Sequence, residues 1–529
     1  MLLLAYIYIY ECFALLSYKY RSLSYNINMN YIALDKKSEH LYLSAGALIT
    51  AFVLLKSTSR LLSNNSKEQI PVVPYKLPFV GSTIDYYKNT LEFTKKWSKK
   101  YGSAFKMHLH GQWVTVVGAD DAPEVFTHPN LSFLAGQVEF LGQTTAHANS
   151  RYVLTPDTVK QSIVKHLTPH LDNYCPQGFE MIIKHAKHVL NEPEVVVPDL
   201  LPFLRSFVAR YSASAFVGKE LCEDENLMNA FENSVSEIGK EMTPGLFRVL
   251  FPSFNKLYLK FLYRKTAAID KHRMLIKNAL AADIERRRAS PEQKEPNGIL
   301  GYILETHPQE EIDAAYLESL TTIILIFIFV GVHTTSMAAA AVMYQLVAHP
   351  EYIPELLEEQ KQVSETGDPL DFVPSAYRQM PKLDSFIRES MRTRATGIAL
   401  PHKNITDKDV VLRSGAIVRP GEDVYINMWH VHFDEANQGH MDNADQFLGF
   451  RFVGQDKQTT KTGHDFVSFG LGKRACPGRW FATQQIKGII SYFIRHYEMR
   501  PAGDILIAGE NGYSKPSTGP VQFIKKETK

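Results

Sequence analysis

The alternation of apolar and polar residues changes period several times along the chain, and each change predicts an element. Phe105 to Val117 (FKMHLHGQWVTVV) alternates about His110-Gly111, which predicts a hairpin. Val410 to Tyr425 predicts a second strand pair about Ser414-Gly415. The stretches around residues 160 to 190, 200 to 290, 312 to 348, 351 to 365 and 477 to 497 carry helical periodicity. The expected fold is mainly α with small β-sheets.

The N-terminal region departs from this pattern. Leu41 to Leu55 (LYLSAGALITAFVLL) is apolar and uncharged, with Lys56 and Arg60 directly after it. A span needs about 20 apolar residues, and flanking residues with snorkelling lysines extend this one, so a transmembrane helix is expected over 41–57. The basic flank places the following chain in the cytosol. A second apolar stretch, Met1 to Tyr18, is either another anchor or an extension ahead of a start at Met29. An interfacial amphipathic helix or a cleaved signal peptide are the alternatives, and no small-residue cleavage site supports the latter. Pro71, Pro74, Pro78 and Gly81 then make a stiff, extended segment that is not helical. The expected organisation is an anchor region over 1–60, a proline-containing linker over 61–80 and a catalytic domain over 81–529.

From Ser319 to Pro350 there is no Asp, Glu, Lys or Arg, so hydropathy alone suggests a second span. Its centre is polar, with Gly331, His333, Thr334, Thr335 and Ser336 together. Polar groups persist inside an apolar helix when they serve a site or a packed neighbour. A long helix through the middle of the domain is the better expectation.

Composition narrows the class. The chain has 529 residues, 45% hydrophobic and 22% charged, which is material for a large core and excludes disorder. No linker rich in Gly, Ser or charge interrupts residues 66 to 529, so one large domain is expected. A formal net charge of +2 gives no case for nucleic acid. Cys12, Cys175, Cys222 and Cys476 are widely spaced, with no CxxC pair, so neither a disulfide framework nor a zinc site is indicated. The first three read as inert buried thiols.

Cys476 has unusual neighbours. Phe469 to Gly478 (FGLGKRACPG) fits F-x-x-G-x-R-x-C-x-G at every fixed position. Gly470 and Gly472 let the backbone turn close to a flat ring, and Gly478 lets the next helix start tight against it. With this motif the chain resembles the cytochromes P-450. The resemblance implies a single large haem domain, haem b (iron protoporphyrin IX) as cofactor, and Cys476 as its metal ligand, with Phe469, Gly472, Arg474 and Gly478 as cofactor-binding positions. Thiolate ligation pushes electron density onto iron and favours O–O cleavage.

Two further matches support it. Glu389 and Arg392 form E-x-x-R in SFIRESMR, a spacing that puts both on one helix face. Gln446 to Phe452 (QFLGFRF) resembles the family's F-x-P-x-R-F, so Arg451 completes a Glu-Arg-Arg cluster, with Gly449 where the family has proline. A structural role beneath the haem is expected for all three, since a buried charge cluster fixes geometry more reliably than it adds stability. Val330 to Thr335 (VGVHTT) resembles A/G-G-x-D/E-T-T of the family's central helix. By that likeness Thr334 is the oxygen-activating threonine, with Thr335 next to it, and Gly331 lets oxygen approach the iron. His333 replaces the usual acid, as in fungal sterol demethylases and diterpenoid oxidases. It is either a satisfied core residue or a proton relay, its ordinary pKa near 6.5 suiting the latter.

Haem propionates need cations or strong donors. Arg474 matches the family position, His402 is a second candidate, and Lys160 and Lys165 are weaker ones, better read as solvated surface. The W-x-x-x-R signature is missing. The strings IVKHLTPHL, KLDSFIRES and HDFVSFGLGKRACPGRWFA look most like fungal membrane-bound enzymes of the ent-kaurene oxidase type. This implies a monooxygenase at the endoplasmic reticulum membrane, held by a single-pass anchor among lipid. It would act on a bulky hydrophobic small molecule (terpenoid, steroid or fatty-acid-like) with O2. Electrons would come from an NADPH-cytochrome P-450 reductase, with cytochrome b5 as an optional donor, docking on Lys473, Arg474, Arg479 and Lys487. Phe133, Phe140, Phe327, Ile328 and Ile398 to Leu400 are the pocket candidates by position, with core packing the equal explanation. Competing readings are a haem-thiolate peroxide isomerase or dehydratase, a non-catalytic haem protein, and a transporter. Thr334 speaks against the first and the specificity of the cysteine motif against the last.

Overall fold

The computed structural model describes residues 70–75, 80–136, 156–242, 267–289, 298–308, 312–368, 371–439 and 441–527. The expected transmembrane helix, Cys12 and the pocket candidate Phe140 lie outside them. Helices dominate the described chain, with three small sheets beside them.

Strands β1 (Ala104–Leu109) and β2 (Gln112–Val117) form the first expected hairpin. His110 and Gly111 between them have φ of 50° and 71°, the left-handed pair that a tight two-residue turn needs to match strand twist. Of the proline segment, Val72 bridges Lys106 in parallel, and Val73 N–H donates to the Lys106 carbonyl at 2.8 Å. Extended backbone therefore caps the β1 edge. With β3 (Leu131–Ser132), β5 (Ile398–Asn404) and β8 (Asp423–Asn427), the sheet order is β1-β2-β8-β5-β3.

The second expected hairpin is half right. β6 (Val410–Val411) and β7 (Ile417–Val418) do pair about Ser414-Gly415. Val424 and Tyr425, however, belong to β8, parallel to β2 and antiparallel to β5. Pro420 and Gly421 separate them: Gly421, at φ 71°, turns the chain and donates its N–H to the Asn404 carbonyl at 2.9 Å. β4 (Glu194–Val197), β10 (Val521–Lys525) and β9 (Tyr497–Pro501) make a further sheet.

Six helices position the site: α1 (Leu171–Val189), α2 (Leu200–Phe216), α3 (Ala314–Phe327), α4 (Thr334–Ala348), α5 (Pro381–Thr393) and α6 (Arg479–His496). Asp313 caps α3, its carboxylate accepting the Tyr316 N–H at 2.7 Å. A π-helical turn, Ile328–His333, joins α3 to α4 in one 35-residue helix. That is the apolar stretch a hydropathy scan takes for a span, and it is mostly buried inside the domain. It packs on α2, α5 and α6, where each fully buried Leu, Ile or Phe contributes about 1.5–3 kcal/mol.

One stripe of this helix is different. Val330 is 39% exposed and Thr334 is exposed, although the helix around them is buried. Met337, a further turn on, is half-buried. Positions i, i+4 and i+7 share a face, so one side of the central helix is accessible. The π-turn lies where the face opens, as such bulges often do at functional sites.

Candidate active site

Cys476 follows a loop built on two left-handed glycines, Gly470 (φ 73°) and Gly472 (φ 60°). The loop closes through Gly470 N–H to Val467 O (2.8 Å), Ala475 N–H to Gly472 O (3.1 Å) and Cys476 N–H to Phe469 O (2.7 Å). A side chain on Gly470 would come within 3.3 Å of Phe126. Gly478 then begins α6. Burial pushes the Cys476 thiol up, opposed by the Gly478 N–H, the Arg479 charge and the Arg479 N–H. The same side chain is exposed. Cys476 is thus accessible as a residue at the end of the glycine loop, while its thiol is desolvated by the protein around it. Cys175 and Cys222 are buried, each pushed up to about 12 by burial, which suits inert core thiols.

The charge cluster assembles as the sequence implies. Arg392 donates through Nε to Glu389 Oε2 at 2.7 Å and through Nη2 to Oε1 at 2.8 Å. Arg451 Nε reaches Glu389 Oε1 at 2.9 Å. The arginines also hold the carbonyls of Ala444 and Gln446, and Leu448 N–H donates to Glu389. Gly449 has a packing reason for replacing proline: a Cβ there would meet the Phe386 ring at 2.6 Å.

On the central helix the Thr334 hydroxyl donates to Val330 O at 2.8 Å, leaving its oxygen free to accept. Thr335 is buried. A Cβ on Gly331 would lie 3.0 Å from the Phe216 ring, so this glycine also admits α2 against the helix. His333 is half-buried, with Nδ1 buried and unbonded. Burial first, then the Arg205 charge, hold its pKa below the ordinary value, so the ring is neutral near pH 7. Arg205 carries no sequence signal of its own, and the packing of α2 alone brings it there.

His402 and Arg474 come together at the edge of the cysteine loop. His402 Nδ1 donates to Leu400 O at 2.8 Å, while Nε2 is buried and has no partner. Burial, then Arg474, press the His402 pKa down to about 4, against the Leu400 bond. Leu400 has φ 54°, and the ladder to β8 shifts register between Ala399 and His402, a local strain that aims the ring. Phe126 packs 5.0 Å from the ring and Phe133 5.3 Å. Arg474 donates to the carbonyls of Leu131 and His128, which uses two of its roughly five donors. Lys160 and Lys165 are on the surface, as preferred.

Other expectations change. Phe327 and Ile328 are fully buried, with Phe327 against Phe216, so they are core and not pocket lining. Phe133 and Ile398 to Leu400 are half-buried. Lys487 does not belong with the exposed basic residues: it is buried on α6, with Nζ 2.7 Å from Asp384 and 3.0 Å from Tyr377 O.

The unbonded His402 Nε2 beside Arg474, the exposed Cys476, the glycine-built loop and the exposed helix face fit an iron porphyrin with carboxylate arms. They define a haem-thiolate protein. The family model for Cytochrome P450 matches residues 71–518. The chain is 27% identical to cytochrome P450 monooxygenase 103 of Postia placenta over 86% of its length and 93% of the relative's. It is 24% identical to monooxygenase AN1598 of Emericella nidulans, over 84% and 86%. Among solved structures, retinoic acid-bound cyanobacterial CYP120A1 shares the fold at TM-score 0.62 and 20% identity, over 87% of this chain and all of that one. The chain belongs to the cytochrome P450 family and is a haem-thiolate monooxygenase that uses O2, a redox partner and a small-molecule substrate.

Proposed function

We propose that Cys476 ligates the iron of haem b and that the enzyme inserts one oxygen atom from O2 into a bulky apolar substrate of terpenoid, steroid or fatty-acid type. The observation that carries the site assignment is the exposed Cys476 at the end of a glycine-built loop, with the orphaned His402 Nε2 at its edge. A thiolate-held haem iron supplies oxygen activation when bound. The rest is done by this chain. Glu389, Arg392 and Arg451 hold the loop's surroundings rigid. Arg474 and His402 take the carboxylate arms. With Nδ1 donating to Leu400, Nε2 is the ring atom left to face a carboxylate arm, and it would hold one as a donor only with the ring protonated.

The Thr334 oxygen is left to accept a hydrogen bond from water, its own proton being held by Val330 O. His333, kept neutral by burial and Arg205, relays protons to it. Phe133, Val330 and Ile398 to Leu400 present apolar surface to the substrate. Electrons come from an NADPH-cytochrome P-450 reductase, with cytochrome b5 optional. The apolar sequence 41–57 serves as the anchor that holds the protein at the endoplasmic reticulum membrane, facing the cytosol. Incubating membranes that contain the protein and its reductase with terpenes, steroids and fatty acids tests this. Product carrying one atom from labelled O2 is expected with an apolar substrate. Turnover confined to small polar compounds overturns the substrate class.

A further inference from the structure

Gln458 to Lys461 form a short strap, and charged side chains from α5 and α6 hold its backbone. Arg388, buried on α5, donates through Nη1 to the carbonyls of Gln458 and Lys461, both at 2.9 Å. Its guanidinium lies 4.0 Å over the Phe466 ring, at the entry to the cysteine loop. Asp384 accepts from Thr459 N–H at 2.7 Å, and its own carbonyl takes the Thr459 hydroxyl at 2.7 Å. Arg479, on α6, donates through Nε to Thr460 O at 3.1 Å and through Nη1 to Cys476 O at 2.8 Å. The Arg479 guanidinium stacks 3.5 Å over the Trp480 ring.

The Cys476 carbonyl has little else to fix it. Pro477 offers no N–H, and the backbone bond it accepts from Arg479 N–H is long, at 3.5 Å. The Gly478 and Arg479 N–H groups that follow this peptide act on the sulfur, opposing the effect of burial on the thiol. We infer that Arg479 is a positioning residue for the sulfur ligand: by bridging Thr460 and the Cys476 carbonyl, it couples the orientation of Cys476 to the Gln458–Lys461 strap that Arg388 fixes at its ends. Its charge beside the sulfur also helps set the potential of whatever metal the sulfur holds. The inference rests on the reading of Cys476 as the iron ligand.

The test uses the full chain loaded with haem. Three quantities are read: the carbon monoxide spectrum of the reduced protein, the ferric/ferrous midpoint potential, and the rate at which mild denaturant converts the thiolate-type band to the blue-shifted one. Arg479→Gln should convert about tenfold faster, the equivalent of one hydrogen bond to a charged group, and should lower the potential. Arg479→Lys keeps the charge and at most one carbonyl bond, so it should convert at an intermediate rate with the potential near wild type. Arg388→Gln should speed conversion with no shift in potential, and its effect should not add to that of Arg479→Gln. Variants that only lower the melting temperature, with conversion rate and potential unchanged, overturn the inference. If Arg479→Gln does not fold, Arg479→Lys decides: conversion at the wild-type rate overturns it. The ligand reading fails separately, if the wild type shows no thiolate-type band or if Cys476→Ser retains one.

Discussion

Arg392 grips Glu389 through two hydrogen bonds, at 2.7 and 2.8 Å, with both side chains closed off from solvent. Arg451 joins from the loop beyond β8 and shares the same carboxylate. Taking away one member of such a cluster leaves the others buried and uncompensated. Glu389→Gln should therefore cost about 3–5 kcal/mol, more than a surface pair of equal geometry. Chemical denaturation of the haem-loaded protein, with the yield of thiolate-type carbon monoxide complex alongside, measures it. A loss below about 1 kcal/mol would mean that the cluster is not what holds this region.

Thr334 and Thr335 are adjacent but differently placed: the first is exposed on the open helix face and the second is buried. Thr334→Ala should leave substrate binding and iron reduction nearly intact while more of the consumed NADPH appears as hydrogen peroxide and less as product. Thr335→Ala should do this less. His333→Ala should fall between them, because its ring is the proposed relay. The check is the ratio of product to NADPH consumed, and full coupling in Thr334→Ala would place the proton path elsewhere.

Burial, then Arg392 and Arg388, press the pKa of His432 down to about 3. The ring is fully buried and its Nε2 accepts from Val467 N–H. A histidine kept neutral in the fold stabilises above its unfolded pKa, near 6.5. As pH falls toward 3, the unfolded chain takes up a proton that the folded one refuses. Between about pH 7 and pH 5 this should remove about 2 kcal/mol. His432→Gln should flatten the pH dependence of thermal stability across that window, although it lowers stability at pH 7. An unchanged slope would show that other groups govern acid sensitivity.

Lys473 is exposed and Lys487 is buried against Asp384, so reversing their charge should give different outcomes. Lys473→Glu should slow reduction by an acidic-faced flavoprotein, most at low salt, with substrate affinity unchanged. Lys487→Glu should instead reduce the yield of folded protein. Stopped-flow reduction against ionic strength separates them, and identical behaviour of the two variants would refute the assignment of surfaces.

Much of this was legible because it is written locally. The hairpin at His110-Gly111, the glycine loop at Cys476 and the i,i+3 pair Glu389/Arg392 are short-range patterns, and each forms as read. The composition of the central helix, apolar with a polar middle, foretold a core helix over a span. What escaped depends on distant packing. Phe327 and Ile328 read as pocket candidates, but both are buried in the core, Phe327 against Phe216. Lys487 belonged by number to a basic cluster, but its place on α6 turns it inward to Asp384. Arg205 and Arg388 carry no motif, and the sheet order that runs β8 between β2 and β5 follows from no spacing. Gly449 looked like a defect in a motif until the Phe386 ring filled the place of its side chain.

The central claim is that Cys476 supplies the thiolate to iron, and the spectrum of the reduced protein under carbon monoxide tests it most directly. The wild type should show the red-shifted band characteristic of thiolate-held haem, and Cys476→Ser should lose that band whether or not it still takes up haem. A serine variant that keeps the band, or a haem-loaded wild type without it, would contradict the account.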